Sequence, residues 1–145
     1  MLERLSLYSD GGARGNPGPA AIAFLAVTQA GQVIKSDSQF IGEATNNQAE
    51  YKALLAALEF AKSIKAQEVE CHLDSELVGK QLKGEYTVKN AELQKLWRQA
   101  SELKSCFGKV SFFNVPRSNP YITRADALVN QTLDAEARKN RKLEL

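Results

Sequence analysis

The chain has 145 residues, 43% of them hydrophobic and 25% charged, with a formal net charge of +2 at pH 7. That is the length and balance of one globular domain that buries a core without disulfide staples, which excludes a disordered or fibrous chain. A charge so near neutrality permits a polyanionic partner without demanding one, and no apolar run reaches the roughly 18 residues of a membrane span, so no membrane partner is expected.

Cys71 and Cys106 make no disulfide framework and point to a reducing, cytoplasmic setting. A first strand is expected over residues 2–9, where Leu5 and Leu7 alternate with Ser6 and Tyr8. Asp10 then stands at the strand's end, ahead of a loop rich in Gly and Pro that runs from Gly11 to Pro19. Backbone without Cβ atoms lets a large ligand approach the main chain, and neither phosphate-loop fingerprint is present. The plain alternative is an Asp in a hairpin turn. Residues 20–27 form a nearly unbroken apolar run, a second strand buried on both faces. After a turn at 29–32, a third strand covers 33–41, and the short connections make the three an antiparallel meander.

Thr45-Asn46-Asn47-Gln48 has the form of a capping box, opening a helix that runs to about residue 65. Glu50 lies on that helix's apolar stripe with Ala53, Leu54, Ala57, Leu58 and Ala61, whereas Glu59 falls on the solvated side. A buried carboxylate requires a cation, a donor or a raised pKa. The fourth strand is 68–73, followed by Asp74 and a short helix at 76–83. A helix between the third and fourth strands is a crossover and implies parallel pairing in an α/β sheet. Asp74 is thereby placed at a strand's carboxyl end, where such sheets bind ligands, with a helix N-cap as its alternative role. His72, the chain's one histidine, reads as a structural residue of a core strand.

A longer helix at 90–106 directs Leu93, Leu96, Trp97, Ala100 and Leu103 inward. A fifth strand at 109–115 and a loop at 116–122 lead to a last helix opening at Thr123-Arg124-Ala125-Asp126. There Asp126 has the alternative reading of a capping-box acid. The basic stretch Arg138 to Lys142 reads as a solvated helix end.

Asp10, Glu50, Asp74 and Asp126 each have a bland explanation, but a central first strand beside the fourth would bring all of them to one place. Clustered carboxylates repel unless divalent metal is present. All-oxygen donors favour Mg²⁺, with Mn²⁺ next, and two such ions about 4 Å apart suit in-line displacement at a phosphodiester.

Asp10-Gly11-Gly12 with Gly15-Asn16-Pro17-Gly18-Pro19, Thr45-Asn46-Asn47-Gln48-Ala49-Glu50, Leu73-Asp74-Ser75 and Ala125-Asp126-Ala127-Leu128-Val129-Asn130 occur in the order found in type 1 ribonuclease H, and the sequence resembles that family over nearly its whole length. The resemblance implies an α/β ribonuclease H-like fold, a five-stranded mixed sheet in order 3-2-1-4-5 flanked by helices, as one catalytic domain over residues 1–145. It also implies Mg²⁺-dependent cleavage of the RNA strand of RNA/DNA hybrids, with two ions per site and 5′-phosphate and 3′-hydroxyl products. By the same resemblance Asp10 bridges the two ions, Glu50 and Asp74 complete one site, and Asp126 helps hold the ion that orients the attacking water.

Gly11, Gly12, Asn16, Asn46 and Asn47 suit the reading of 2′-hydroxyls across a shallow minor groove, and Thr45 suits a phosphate. The chain has no His between Pro116 and Arg124, and Arg117 stands in that loop as in a His-lacking subgroup. The basic protrusion of some members is missing, so binding is expected to be weak, salt-sensitive and poorly processive. No obligate protein partner is implied, and a monomer is expected. The rival readings are the same chemistry extended to double-stranded RNA or DNA, a non-catalytic nucleic-acid-binding module, and a phosphotransferase of related fold.

Overall fold

A computed structural model describes residues 3–144. Leu2, the expected start of the first strand, lies outside them. The elements are β1 (Arg4–Ala13), β2 (Gly18–Thr28), β3 (Val33–Ala44), α1 (Asn46–Ser63), β4 (Glu68–Leu73), α2 (Glu76–Leu82), α3 (Ala91–Lys104), β5 (Lys109–Asn114) and α4 (Pro120–Glu144). They build one sheet in the order β3-β2-β1-β4-β5. β1–β2 and β2–β3 pair antiparallel, and β1–β4 and β4–β5 pair parallel, as a meander followed by crossovers requires.

Alternation decides which side chains meet which layer. Leu5, Leu7, Phe24, Ala26, Val69 and Cys71 leave one face of the sheet and pack on Leu54, Leu58 and Ala61 of α1 and on Ala100 and Leu103 of α3. Ala21 and Ala23 leave the other face and pack on Ala125, Val129 and Leu133 of α4. Both faces of β2 are therefore covered, which explains its apolar run. Each Leu fully buried here contributes roughly 1.5–3 kcal/mol. Trp97 serves the core as its helical spacing predicts, packed with Leu93, Leu96 and Tyr51 while its indole N–H donates to the Gln81 carbonyl at 3.2 Å.

Two expectations need correction. β1 does not end at Ser9 but continues through Asp10 to Ala13, in register with Ala23 down to Ala20. Gly11 and Gly12, two of the glycines that suggest a loop, lie within this ladder. At Gly11 a Cβ would overlap the backbone carbonyl of Ala49, so the bare position makes room for α1. At Gly18 a Cβ would overlap the Arg14 carbonyl, where the tight turn closes. The second correction concerns α4, which begins at Pro120 rather than Thr123. The Asn119 side chain accepts the amides of Tyr121 and Ile122 at 3.0 and 3.2 Å, and Asn before Pro is a strong helix start. Asp126 is therefore beyond the first turn and is no capping-box acid.

Candidate active site

The site forms where β1 loses one neighbour. β1 and β4 pair in parallel only as far as Tyr8 and His72, while β1 and β2 stay paired to Ala13. Asp10 is thus held inside a strand by β2 on one side and opens on the other into the gap beyond β4. Asp74 follows the last residue of β4. Its alternative role as N-cap of α2 is taken by Ser75, whose hydroxyl accepts the Val78 amide at 3.3 Å. The Asp74 carboxylate is left for the cleft.

Glu50 arrives from the first turns of α1. Thr45 caps that helix in a complete capping box, Gln48 N to Thr45 Oγ1 at 3.1 Å and Thr45 N to Gln48 Oε1 at 2.9 Å. The close approach of Gly11 to Ala49 lets the Gly11 amide donate to Glu50 Oε1 at 3.1 Å. Asp10, Glu50 and Asp74 each present a carboxylate oxygen within 4.8 Å of the others. Glu50 Oε2 is buried without a hydrogen-bond partner. Burial raises both inner acids. Asp10 is pushed up to about 7, first by burial and then by the charges of Asp74 and Asp126, against the lowering bond to Glu50. Glu50 is raised well above its ordinary value by burial and by the Asp10 charge beside it. The pair therefore holds protons more tightly than free carboxyls do, and a hard cation can take their place.

Asp126 approaches from α4 but stands outside the tight trio. Its carboxylate accepts from Arg117 Nη2 at 3.2 Å and from Asn130 Nδ2 at 3.4 Å, and Asn130 Nδ2 also donates to its carbonyl at 3.1 Å. Arg117 Nε lies 4.0 Å from Asp74 Oδ2. These residues, with Gly12, Asn46 and Asn47, line a cleft of about 400 Å³.

The polar candidates around the cleft divide. Asn16 Oδ1 accepts the Asn46 amide at 2.9 Å, and Asn46 Oδ1 accepts the Ala13 amide at 2.9 Å, so both oxygens tie the β1–β2 turn to α1. Both side chains remain exposed, with their amide groups as donors. Asn47 and Gly12 face the cleft directly, and Thr45 serves α1 as its cap.

His72 packs within the sheet. Its ring stacks between Tyr8 and Phe113, with centroids 4.4 and 5.2 Å away, its Nδ1 lies 3.3 Å from the Leu7 carbonyl, and burial lowers its pKa. Sequence reasoning missed Asn130 as the residue that orients Asp126, although a spacing of four on one helix carried that signal. It also missed Arg14, which bonds the Asn130 carbonyl at 3.4 Å and pairs with Asp134 at 2.7 Å; no local pattern announces that contact.

A mixed sheet in this order, with carboxylates gathered where parallel pairing ends, is the ribonuclease H-like arrangement. A family profile described as "Reverse transcriptase-like" matches residues 8–132. The chain is 44% identical over 131 residues to Ribonuclease HI of Halobacterium salinarum, covering 90% of this chain and 65% of that protein. It is 41% identical over 135 residues to the bifunctional protein Rv2228c of Mycobacterium tuberculosis, covering 92% of this chain but 36% of that one. The chain thus spans less than two thirds of the length of both relatives.

Among solved structures, the Halobacterium salinarum RNase H1 superposes with a TM-score of 0.87 at 43% identity, covering 91% of this chain and 98% of that one. The N-terminal RNase H domain of Rv2228c gives 0.90 at 40% identity, covering 95% and 99%. LC11-RNase H1, solved in complex with an RNA/DNA hybrid, gives 0.84 at 38% identity, covering 92% and 99%. The chain belongs to the type 1 ribonuclease H family.

Proposed function

We propose that the protein is a metal-dependent endoribonuclease that hydrolyses the RNA strand of RNA/DNA hybrids, acting as one catalytic domain and as a monomer in a reducing, cytoplasmic setting. The observation that carries the reading is the trio Asp10, Glu50 and Asp74, three carboxylates converging within 4.8 Å around a buried oxygen that lacks a partner. Such a set is costly in a folded protein unless a cation completes it. Its hard, all-oxygen donors suit Mg²⁺ or Mn²⁺ and not zinc. Asp10, Glu50 and Asp74 would hold one ion, and Asp10 with Asp126 would hold the second. The chemistry supplied by such ions is activation of water and neutralisation of charge at the phosphorus.

The protein's own groups do the rest. The α1 terminus and the bare Gly12 let a duplex approach the main chain, and the side-chain amides of Asn16, Asn46 and Asn47 donate toward 2′-hydroxyls. Water oxygen bonds to phosphorus as the bond to the 3′ oxygen breaks, and that oxygen takes a proton, leaving a 5′-phosphate and a 3′-hydroxyl. Contacts of this kind read sugar and shape, so little sequence preference is expected. Among the described residues no helix is long and apolar enough to cross a membrane. Cys71 is buried, Cys106 is exposed and both are free, which suits a reducing setting.

The test is a denaturing gel of end-labelled hybrid, RNA/RNA, DNA/DNA and single-stranded RNA with Mg²⁺, Mn²⁺ or EDTA. Cuts confined to the RNA of the hybrid, dependent on metal and lost in Asp10→Asn, are the expected result. Cuts in RNA/RNA as well would widen the substrate class. Well-folded protein that cuts no duplex with either ion would overturn the catalytic reading and leave a binding module.

A further inference from the structure

The loop between β5 and α4 is fastened at both ends and leaves one side chain able to move. The Val115 amide donates to the Leu73 carbonyl at 3.0 Å, the Asn119 amide to the Pro116 carbonyl at 2.9 Å, and Thr123 Oγ1 to the Arg117 carbonyl at 3.1 Å. The Arg117 side chain itself is 75% exposed, yet it turns back over the cleft and lies between Asp126 at 3.2 Å and Asp74 at 4.0 Å. These are the two more exposed of the four carboxylates, Asp74 from within the trio and Asp126 from outside it. Asp10 and Glu50 lie deeper, and the Gly11 amide holds Glu50.

The oxygen that Arg117 occupies on Asp126 is one that a divalent ion there would also need. A guanidinium and a divalent ion do not share a carboxylate oxygen at full strength, because each replaces water on the same lone pairs. Arg117 suits both sides of an exchange, since its planar fork pairs with a carboxylate or with a phosphate. On the nuclease reading above, we propose that Arg117 is a displaceable counter-ion. It neutralises Asp126 and Asp74 until a divalent ion engages Asp126, and then swings outward to a phosphate of the substrate. The inner trio accepts its ion first, and the second ion both completes the site and releases a basic residue to the hybrid. Net charge in the cleft then changes less on loading than four bare acids would require, and the grip on substrate becomes conditional on metal.

The experiment uses two readouts other than turnover. Mn²⁺ binding to the free protein is followed by the electron paramagnetic resonance of unbound ion for wild type, Arg117→Gln and Arg124→Gln. The last removes a charge two residues from Asp126 that pairs with no carboxylate among the described residues. Hybrid affinity is then measured across salt with and without Ca²⁺, the strands being checked for integrity on a gel.

Arg117→Gln is expected to tighten the weaker Mn²⁺ site about three- to fivefold, with Arg124→Gln changing it less than about twofold. Ca²⁺ is expected to steepen the salt dependence of hybrid binding by about one counter-ion in wild type and not in Arg117→Gln. Unchanged Mn²⁺ affinity in Arg117→Gln, equal tightening in both variants, or a wild-type salt slope indifferent to Ca²⁺ would each overturn the exchange. Wild type that cleaves the hybrid but fails the Mn²⁺ readout loses the exchange alone, whereas wild type that cleaves no hybrid loses the nuclease reading itself.

Discussion

Along β1, Leu5 and Leu7 lie as deep as Ser9 and Asp10, all of them at 6% exposure or less. The first pair meets Leu54, Leu58 and Val69, and every contact there is apolar and complete. The second pair is buried as well, but Ser9 Oγ and Glu50 Oε2 have no hydrogen-bond partner, and burial pushes the Asp10 carboxyl up to about 7. Equal burial thus stabilises one half of the strand and burdens the other. The apolar half holds α1 rigidly enough for the polar half to stay in a conformation it would not choose alone. Stability and chemistry are separated along one strand and not between layers.

Four substitutions or conditions break or sharpen this contrast. Asp10→Asn removes a charged group from the burdened half; hybrid cleavage is expected to fall by about 10³-fold or more, while the melting temperature of metal-free protein at pH 8 rises by about 3 °C. A fall in melting temperature would show that the carboxylate is not a burden. Leu54→Ala strikes the apolar half, costing about 3 kcal/mol in denaturant unfolding with kcat per folded molecule unchanged. Gly11→Ala acts just beyond the burdened half, since its Cβ would overlap the Ala49 carbonyl; a loss of about 2 kcal/mol together with reduced cleavage is expected.

The remaining effect is one of pH. Asp10 and Glu50 have folded values above their ordinary ones, so the folded state keeps protons that the unfolded chain has released. Metal-free stability should therefore fall as pH rises from about 4 through about 7, by no more than about 1.4 kcal/mol per pH unit for each group. Mg²⁺ should flatten the slope, because the ion takes the proton's place. Urea titrations at several pH values, with EDTA or Mg²⁺, measure both.

Patterns with a short period were legible in the sequence. Thr45 and Gln48 three apart gave a real capping box, the apolar run at 20–27 gave a strand covered on both faces, and Glu50 on the stripe of α1 is indeed buried. What misled was glycine. Gly11 and Gly12 resemble a loop by composition, but the reason for the missing Cβ at Gly11 is a helix backbone nearly forty residues later in the chain, and no local pattern carries that information. The start of α4 was misread for a related reason. Thr123 to Asp126 mimics a cap, while Asn119-Pro120, a stronger start, sits in a stretch with the composition of a loop. The carboxylates were legible as a set through their shared chemistry. That Arg117 lies across Asp74 and Asp126 was not, since a flexible exposed side chain leaves no periodic trace.

Asp126, carried by α4, has a consequence for how the protein is made. The trio of Asp10, Glu50 and Asp74 is encoded well before it, yet Asp126 reaches the cleft only after α4 has packed on Ala21 and Ala23. A ribosome adding roughly 5–20 residues per second therefore releases the early strands and helices for seconds before the fourth acid can dock. During that interval the growing polypeptide carries three of the four carboxylates without the fourth, so the cleft is completed last, by the final helix to leave the ribosome.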